Sequence, residues 1–177
     1  MSDLARRVYD TAHLTGEFTL RSGQVSNEYF DKYLFEADPV LLRDIAEAMA
    51  PLVPAGTEVL AGLELGGIPI VTMLSQVTGL PALFVRKKAK DYGTCRLAEG
   101  GEVDGRRVVV VEDVVTTGGQ VLLSCADLRE RGALVDTVLC VIDREAGGPE
   151  AFAEQGLALR ALLTMTQLTT AAGSPRR

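Results

Sequence analysis

The stretch of sequence that decides the fold is VVVVEDVVTTGGQ, residues 108–120. Four consecutive valines predict a strand buried on both faces, as in a parallel sheet, and the turn after them predicts the start of a helix. Glu112 and Asp113 stand where this strand is expected to end. A turn of this composition directs the free N–H groups of residues 117–120 to one point, where the helix dipole adds positive charge. The stretch therefore predicts a phosphate-binding turn.

The turn differs from two common phosphate-binding motifs. No lysine follows the glycines, as it does in a Walker loop, and Glu112 and Asp113 stand where a GxGxxG motif has glycine. Because two carboxylates repel a phosphate, we expect them to face neighbouring hydroxyls of a sugar, which suit paired acceptors. A ribose 5-phosphate fits both halves of the segment. The alternative is an ordinary strand–turn–helix in which Thr116 caps the helix.

Apolar runs of strand length alternate with segments of helical period on both sides of this stretch. The predicted strands are residues 59–61, 82–85, 108–111 and 138–142. The predicted helices are residues 68–77 and 119–131, and Gly132 ends the second one. Such alternation predicts an α/β fold with a central, mostly parallel sheet flanked by helices.

The 177 residues are enough for one sizeable core, so we predict a single domain over residues 1–177. Residues 1–14 predict an amphipathic helix, and residues 18–20 and 29–31 predict short strands that form an appendage to the sheet. The last segment, TTAAGSPRR at 169–177, is small and polar without periodicity, which predicts a disordered end.

The long polar stretch 86–105 contains four glycines and predicts a mobile flap, with a β-hairpin as the alternative. It begins with a basic cluster, formed by Arg86, Lys87, Lys88 and Lys90. A solvated charged run is the usual explanation for such a cluster. In an acidic protein the same cluster also supplies local positive charge for a polyanionic ligand.

Composition excludes several classes of function. Eighteen Lys and Arg against 24 Asp and Glu give a formal charge of −6, which argues against duplex nucleic acid or an anionic membrane as a partner. The one histidine, His13, excludes histidine-rich metal sites. Three cysteines without a CxxC pair indicate a reducing cytoplasm, with Cys125 and Cys140 in the core and Cys95 exposed in the flap. No apolar run approaches the about 20 residues of a membrane span, and no secretion signal is visible.

The stretch 108–120 resembles the phosphoribosyl diphosphate signature of the type I phosphoribosyltransferases. Three further segments resemble elements of the orotate phosphoribosyltransferases. They are GEFTLRSG at 16–23 with SNEYFD at 26–31, RKKAKDYG at 86–93, and DRE at 143–145. The resemblance implies the type I phosphoribosyltransferase fold with a small N-terminal hood and a mobile flap. It also implies transfer of the 5-phosphoribosyl group from phosphoribosyl diphosphate to orotate, with release of pyrophosphate, in pyrimidine (UMP) biosynthesis.

The resemblance implies two sets of binding residues. Phosphoribosyl diphosphate is expected to contact Arg21, Leu65, Gly66, Arg86, Lys87, Lys90, Tyr92, Glu112, Asp113, Val114, Val115, Thr116, Thr117, Gly118, Gly119 and Gln120. Orotate is expected to contact Tyr29, Phe30, Thr116 and Arg144. The resemblance gives Lys90, Glu112 and Asp113 catalytic roles. It further implies Mg²⁺ bound through substrate oxygens without direct protein ligands, and a homodimer in which Lys90 completes the neighbouring site.

Two of these residues are suited by their chemistry to a carboxylated base. Where the 6-oxopurine enzymes carry an acid in the signature, this chain has Thr116, which donates a hydrogen bond and does not repel an anion. The guanidinium fork of Arg144 fits a planar carboxylate. The alternative for Arg144 is a surface ion pair with Asp143 or Glu145.

The loop AGLELGGIP, residues 61–69, is implied to hold pyrophosphate through its backbone, with a non-proline cis peptide near Glu64 and Leu65. A plain glycine turn is the alternative. The chain departs from the family pattern at four positions. Gly66 stands where some relatives have lysine, and Tyr92 where some have histidine. Arg21 stands where lysine is frequent, and Glu112 where many relatives have aspartate. Two rival functions stay open: transfer to another base, and a regulator that keeps the sugar site but binds nucleic acid or a partner protein.

Overall fold

The computed structural model describes residues 2–19, 23–88 and 97–173. Arg21, Lys90, Tyr92 and Cys95, for which the sequence made predictions, lie outside the described residues. The helices are α1 (Ser2–Ala12), α2 (Lys32–Ala37), α3 (Pro39–Met49), α4 (Gly67–Thr78), α5 (Gly119–Glu130), α6 (Gly148–Glu154) and α7 (Met165–Gly173), with a 3-10 turn at Ala50–Leu52. The strands are β1 (His13–Thr19), β2 (Val25–Phe30), β3 (Val59–Leu63), β4 (Ala82–Val85), β5 (Ala98–Glu99), β6 (Arg107–Val115), β7 (Leu134–Asp143) and β8 (Ala158–Thr164).

Within the described residues, six strands form the main sheet in the order β5-β4-β3-β6-β7-β8. The pairs β3–β4, β3–β6, β6–β7 and β7–β8 are parallel, and only the short edge strand β5 is antiparallel. The predicted α/β fold with a mostly parallel sheet is therefore confirmed. The chain proceeds from β3 outward to β4 and from β6 outward to β7, so the direction of winding reverses between β3 and β6.

Each face of the sheet has its own apolar core, which explains the run of valines in β6. Val109 and Val111 belong to the core beneath α1, α3 and α4, while Val108 and Val110 belong to the core beneath α5 and α6. A strand covered by helices on both faces has no polar face, so its sequence is continuously apolar. Packing on both faces therefore holds the carboxyl end of β6 in a fixed position between the two layers of helices.

The N-terminal hood consists of the antiparallel pair β1–β2 beside α1. Both strands are longer than the predicted segments 18–20 and 29–31, and a register shift interrupts the pair between Thr15 and Phe18. Most positions of the two strands are exposed or half-buried, so they carry little of the alternating pattern from which strand length is read. The helix predicted over residues 1–14 is present as α1.

The predicted disordered end is wrong for residues 169–173, because these residues lie in α7. Leu168 anchors this helix with a fully buried side chain. The Arg6 guanidinium of α1 donates to the carbonyl oxygens of Ala171 and Ala172, at 3.3 and 3.2 Å, near the end of α7. Met165 and Ala171 of the same helix pack against the core beside Leu168. The segment 169–177 taken alone contains neither Met165 nor Leu168, and the contact with Arg6 comes from the other end of the chain.

The polar stretch 86–105 is partly ordered against the sheet. β5 pairs with β4 through Val85 and Ala98, which gives the base of the stretch the hairpin geometry that we considered as the alternative. Leu97, Ala98 and Val103 are buried in the core beneath α5 and α6. The described part of this stretch is therefore packed, and the flap prediction falls on residues 89–96, which lie outside the described residues.

Candidate active site

The carboxyl ends of β3 and β6 border a cavity of about 420 Å³, which we call the β6 cavity. In open α/β sheets ligands bind where the winding reverses, outside the carboxyl ends of the strands, and the β6 cavity lies at that point. Its lining residues are Lys32, Tyr33, Glu64, Leu65, Lys87 and residues 112–121. The cavity thus brings together the 112–120 segment, Leu65 and Lys87, for which the resemblance implied one shared ligand.

The turn after β6 exposes the first amide groups of α5 to this cavity. Gly118 is the residue before the helix, with φ 79°, and no side chain caps the helix. Thr116 is therefore not the helix cap that the ordinary strand–turn–helix alternative requires. The N–H groups of the first turn of a helix have no intrahelical acceptor, and the helix dipole makes that end positive. The arrangement is suited to an anion such as a phosphate.

Only glycine fits at position 118. A Cβ atom there would lie 2.3 Å from Cε2 of Phe152, whose ring is fully buried between α6 and the sheet. The positive φ of Gly118 is also costly for residues with a side chain. The turn owes its shape both to its local sequence and to the packing of Phe152 from a distant helix.

Glu112 and Asp113 lie inside β6 and not at its end, because the strand continues to Val115. Val114 and Val115 pair with Ile142 and Asp143 of β7, which extends the strand by these residues. Asp113 is 0% exposed, whereas Glu112 is half-buried. Both line the β6 cavity, and the backbone N–H of Asp113 donates to Glu112 Oε1 at 3.1 Å.

Two charged residues of α2 that the sequence reasoning missed complete this group. Lys32 Nζ lies 2.5 Å from Asp113 Oδ2. Glu36, one helical turn after Lys32, is only 6% exposed. Residues at i and i+4 share a helix face, and the pair Lys32 and Glu36 was the signal available in the sequence. Nothing local indicated that this short helix would face β6.

The four groups have unusual protonation properties. Burial raises the pKa of Glu36 to about 9, and the hydrogen bond to Asp113 adds to the effect. Burial likewise raises the pKa of Glu112 to about 9, with the same help from Asp113. Burial opposes ionisation of Asp113 as well, but hydrogen bonds from Glu112 and Lys32 hold the pKa of Asp113 below its usual range. At neutral pH the group therefore has one anion, Asp113, and one cation, Lys32.

The loop between β3 and α4 closes another side of the cavity. The peptide bond between Glu64 and Leu65 is cis, as the resemblance implied. The backbone N–H of Lys87 donates to Glu64 Oε1 at 2.6 Å, which ties the end of β4 to this loop. A Cβ atom on Gly66 would lie 1.5 Å from Asp113 Oδ2, so no side chain is possible there in this arrangement. Gly66 thus serves the packing of Asp113 and is more than a plain turn residue.

The residues predicted for orotate are divided between two cavities. Tyr29, Phe30 and Arg144 line a second cavity of about 350 Å³, which we call the Arg144 cavity. Thr116, by contrast, lines the β6 cavity. The backbone N–H of Arg144 donates to the carbonyl of Val115 at 2.9 Å, which joins the walls of the two cavities.

Arg144 does not form the surface ion pair that was its alternative. Asp143 Oδ1 accepts the backbone N–H of Glu145 at 2.9 Å, and Glu145 Oε2 accepts the N–H of Thr166 at 2.7 Å. Both neighbouring carboxylates are thus occupied by backbone donors. Arg86, in contrast, lies outside both cavities and pairs with Glu99 at 3.4 Å.

A third cavity, of about 330 Å³, lies at the amino-terminal end of the sheet and contains none of the predicted site residues. Among the described residues, no cluster of three or more His, Cys, Asp or Glu is arranged to hold a metal ion, and no helix is long and apolar enough to cross a membrane.

Comparison with known proteins agrees with this geometry. The phosphoribosyl transferase domain model matches residues 35–152. An orotate phosphoribosyltransferase from Nocardioides sp. is 57% identical over 168 residues, which cover 95% of this chain and 94% of the relative. The crystal structure of Mycobacterium tuberculosis orotate phosphoribosyltransferase with Fe(III) dicitrate superposes with a TM-score of 0.86 at 35% identity, covering 94% of this chain and 97% of that one. The same enzyme in complex with 5-phospho-α-D-ribosyl 1-diphosphate gives a TM-score of 0.81 at 32% identity, covering 95% and 98%.

The chain therefore belongs to the phosphoribosyltransferase family, as the fold and the turn after β6 indicate. Within that family it belongs with the orotate phosphoribosyltransferases, and its reaction is transfer of the 5-phosphoribosyl group to orotate. The two rival functions, another base and a regulator without this activity, are set aside by this membership.

Proposed function

We propose that this chain holds phosphoribosyl diphosphate in the β6 cavity, places orotate in the Arg144 cavity, and joins them with release of pyrophosphate. The observation that carries this assignment is the amino terminus of α5, which opens into the same cavity as Glu112 and Asp113. Amide donors suit the 5-phosphate, whereas the two carboxyl groups suit the 2- and 3-hydroxyls of the sugar. One ribose 5-phosphate spans both parts of the cavity.

The diphosphate of the substrate is assigned to the opposite wall. Leu65 and Lys87 line the same cavity, and the backbone of the β3–α4 loop is available there. Arg21, Arg86, Lys90 and Tyr92 are assigned to the diphosphate only by resemblance. Arg86 would have to exchange Glu99 for the substrate, since it is paired with that carboxylate.

Orotate is assigned to Tyr29, Phe30, Arg144 and Thr116. The Arg144 side chain has no carboxylate partner among the described residues, and its fork can pair with both oxygens of a planar carboxylate. The aromatic rings of Tyr29 and Phe30 offer apolar surface for a flat base. Thr116, which lines the β6 cavity, is assigned a hydrogen bond to the base from the ribose side.

The reaction depends on how the enzyme aligns its two substrates, and it needs no nucleophilic side chain of the enzyme. As the bond between C1 of the ribose and the pyrophosphate oxygen breaks, positive charge builds on the sugar. The ring nitrogen N1 of orotate must lie in line to donate its electron pair to C1, while its proton leaves with the pyrophosphate. Asp113 is the anion near this centre, and amides and cations neutralise the phosphates. Magnesium, when bound, would neutralise the diphosphate through substrate oxygens and water, which agrees with the oxygen-rich lining of the β6 cavity. Lys90 and the flap would exclude water from the reacting centre.

We further propose that the enzyme is a cytoplasmic homodimer with shared active sites. The cytoplasmic location is supported by the free, buried thiols of Cys125 and Cys140, since free cysteines persist in a reducing compartment. Homodimerisation is supported by the resemblance alone, which gives Lys90 a role in the neighbouring site.

The proposal is tested by the loss of orotate absorbance when the enzyme is mixed with magnesium and phosphoribosyl diphosphate, with adenine, hypoxanthine and uracil in parallel. Conversion of orotate alone is expected. Glu130→Gln, which changes an exposed carboxyl of α5, is a matched control for substitutions of the site carboxylates. Binding of phosphoribosyl diphosphate without conversion of any base would contradict the assignment.

A further inference from the structure

We propose that Glu36 and Lys32 are positioning residues for Asp113: neutral Glu36 donates a hydrogen bond to Asp113, and Lys32 pairs with it, so that one fixed anion faces the ribose. The inference rests on the ribose-binding role proposed for Asp113. It concerns residues outside the 112–120 segment and assigns them no direct contact with substrate.

The first support is the position of α2. Asp31 Oδ1 accepts the N–H of Tyr33 at 3.1 Å and starts the helix, and the fully buried ring of Phe35 anchors it in the core. Lys32 and Glu36, one turn apart, then face the end of β6. The ammonium of Lys32 reaches Asp113 Oδ2 at 2.5 Å.

The second support is the close approach of two carboxyl groups. A Cβ atom on Gly66 would lie 1.5 Å from Asp113 Oδ2 and 3.1 Å from Glu36 Oε1, so these two oxygens are neighbours. Both oxygens are shielded from solvent, and Glu36 Oε1 accepts no other hydrogen bond among the described residues. Two facing carboxyl oxygens are stable when a proton lies between them, and the ammonium of Lys32 beside Asp113 Oδ2 favours that proton on Glu36.

The third support is the balance of charge. The groups that act on Glu36 are Asp113 from β6, and Lys32 and Asp31 from the start of α2. If Glu36, Glu112 and Asp113 were all ionised, one lysine would face two buried anions and one half-buried anion beside a site for a polyanion, which is unfavourable. Burial raises the pKa of Glu36 to about 9, whereas Asp113 keeps its charge. A neutral Glu36 therefore lets Asp113 stay ionised and in place.

This protonation predicts how stability depends on pH. Between its ordinary pKa of 4.5 and the raised value of about 9, Glu36 holds a proton in the folded state and loses it in the unfolded state. Because the folded state then binds more protons, this group makes the free energy of unfolding fall as pH rises through that window. Glu36→Gln keeps the shape and the donor but has no proton to lose.

The test compares the wild type with Glu36→Gln in two measurements. In denaturant unfolding between those two pH values, the free energy of unfolding should fall less steeply with pH in the variant. The difference in slope should correspond to about one bound proton. In kinetics, the KM for phosphoribosyl diphosphate is compared at about pH 7 and about pH 10. The increase should be several-fold larger in the wild type than in the variant, because ionised Glu36 adds about one negative charge next to Asp113. Glu47→Gln, an exposed carboxyl of α3 paired with Arg43, is the matched control and should match the wild type in both.

Two further variants complete the test. Lys32→Met should raise the KM for phosphoribosyl diphosphate by about tenfold or more, because the buried Asp113 loses its cation. Glu36→Ala should impair substrate binding at neutral pH, while Glu36→Gln restores it. An unchanged pH slope and an unchanged KM profile in Glu36→Gln would overturn the proposal. If Asp113→Asn weakens substrate binding in that case, the ribose-binding role of Asp113 is retained and only the positioning role of Glu36 and Lys32 is rejected.

Discussion

Asp113 is the residue on which most of the site geometry depends. Its carboxylate is fully buried, is paired with Lys32, and occupies space that only Gly66 leaves open. Its pKa is held below the usual range although burial opposes ionisation. An anion kept ionised by its neighbours needs no reorganisation when positive charge develops on the substrate, which is the property that electrostatic catalysis requires.

Asp113→Asn is expected to weaken binding of phosphoribosyl diphosphate and to lower kcat. The amide keeps the shape but cannot pair with Lys32, so a partly buried cation is left without its partner, a loss of about tenfold or more in affinity. Steady-state kinetics with each substrate varied, and calorimetric binding of phosphoribosyl diphosphate, would measure it. Wild-type kinetics would contradict the ribose assignment.

Arg144→Lys is expected to raise the KM for orotate by about tenfold while leaving the KM for phosphoribosyl diphosphate unchanged. A lysine retains the charge but cannot pair with both carboxylate oxygens, so the effect is confined to the base. Arg131→Lys is a suitable control, because this arginine is exposed and donates to the carbonyl of Asp127 at 2.6 Å, away from both cavities. Equal changes in both KM values would argue against a specific contact with orotate.

At the scale of elements, the turn between β6 and α5 depends on a contact with α6, which covers the same face of the sheet as α5. Phe152 of α6 fills the space next to Gly118, and the helix starts without a side-chain cap. A capping side chain would occupy amide donors that are otherwise available to a ligand. The start of α5 therefore lacks the stabilisation that a capping side chain provides, and its backbone N–H groups remain available to bind a ligand.

Gly118→Ala is expected to destabilise the protein by about 1–2 kcal/mol from its positive φ alone, with further loss from the clash with Phe152. Gly119→Ala is the matched control, since a Cβ atom there meets nothing within 4 Å. Thermal unfolding of both variants would separate the two positions. Equal stability would mean that Phe152 does not restrict the turn.

Lys32 and Glu36 show how a short helix acquires a role from its partner. α2 has only six residues, and such a helix is not stable alone in water. Its Asp31 cap and the burial of Phe35 hold it, and this positions its charged face against β6. The same residues on an exposed helix would form an ordinary surface pair.

At the scale of the whole molecule, the central question is whether two chains share each site. If Lys90 acts in the neighbouring site, mixing inactive Lys90→Ala with inactive Asp113→Asn should restore activity. In the mixed dimer one site has both native groups, so activity should reach roughly a quarter of the wild-type value if the chains assort at random. Activity assays after subunit exchange, with sedimentation to confirm the dimer, would measure it. No recovery in a proven mixed dimer would place Lys90 in its own site.

Local patterns account for much of this fold. The alternation of apolar runs and helical segments predicted the parallel sheet, because strands covered on both faces are apolar and helices between them are amphipathic. The 112–120 segment predicted where a phosphate would bind, because a glycine-rich start of a helix has the same amide geometry in any protein. These features depend on residues that are neighbours in the chain.

Features that depend on distant residues were not predictable in this way. Residues 169–173 of α7 were predicted to be disordered because the contacts that hold them involve Leu168 in the core and Arg6 of α1. Lys32 and Glu36 had no visible role because only the packing of α2 against β6 brings them to Asp113. Motif and periodicity therefore predicted the fold, which the structure confirms, and the part of the chain in which we propose the site. The protonation and the fixed position of its central carboxylate arise only when burial brings these charges together, since burial is what makes their interactions strong.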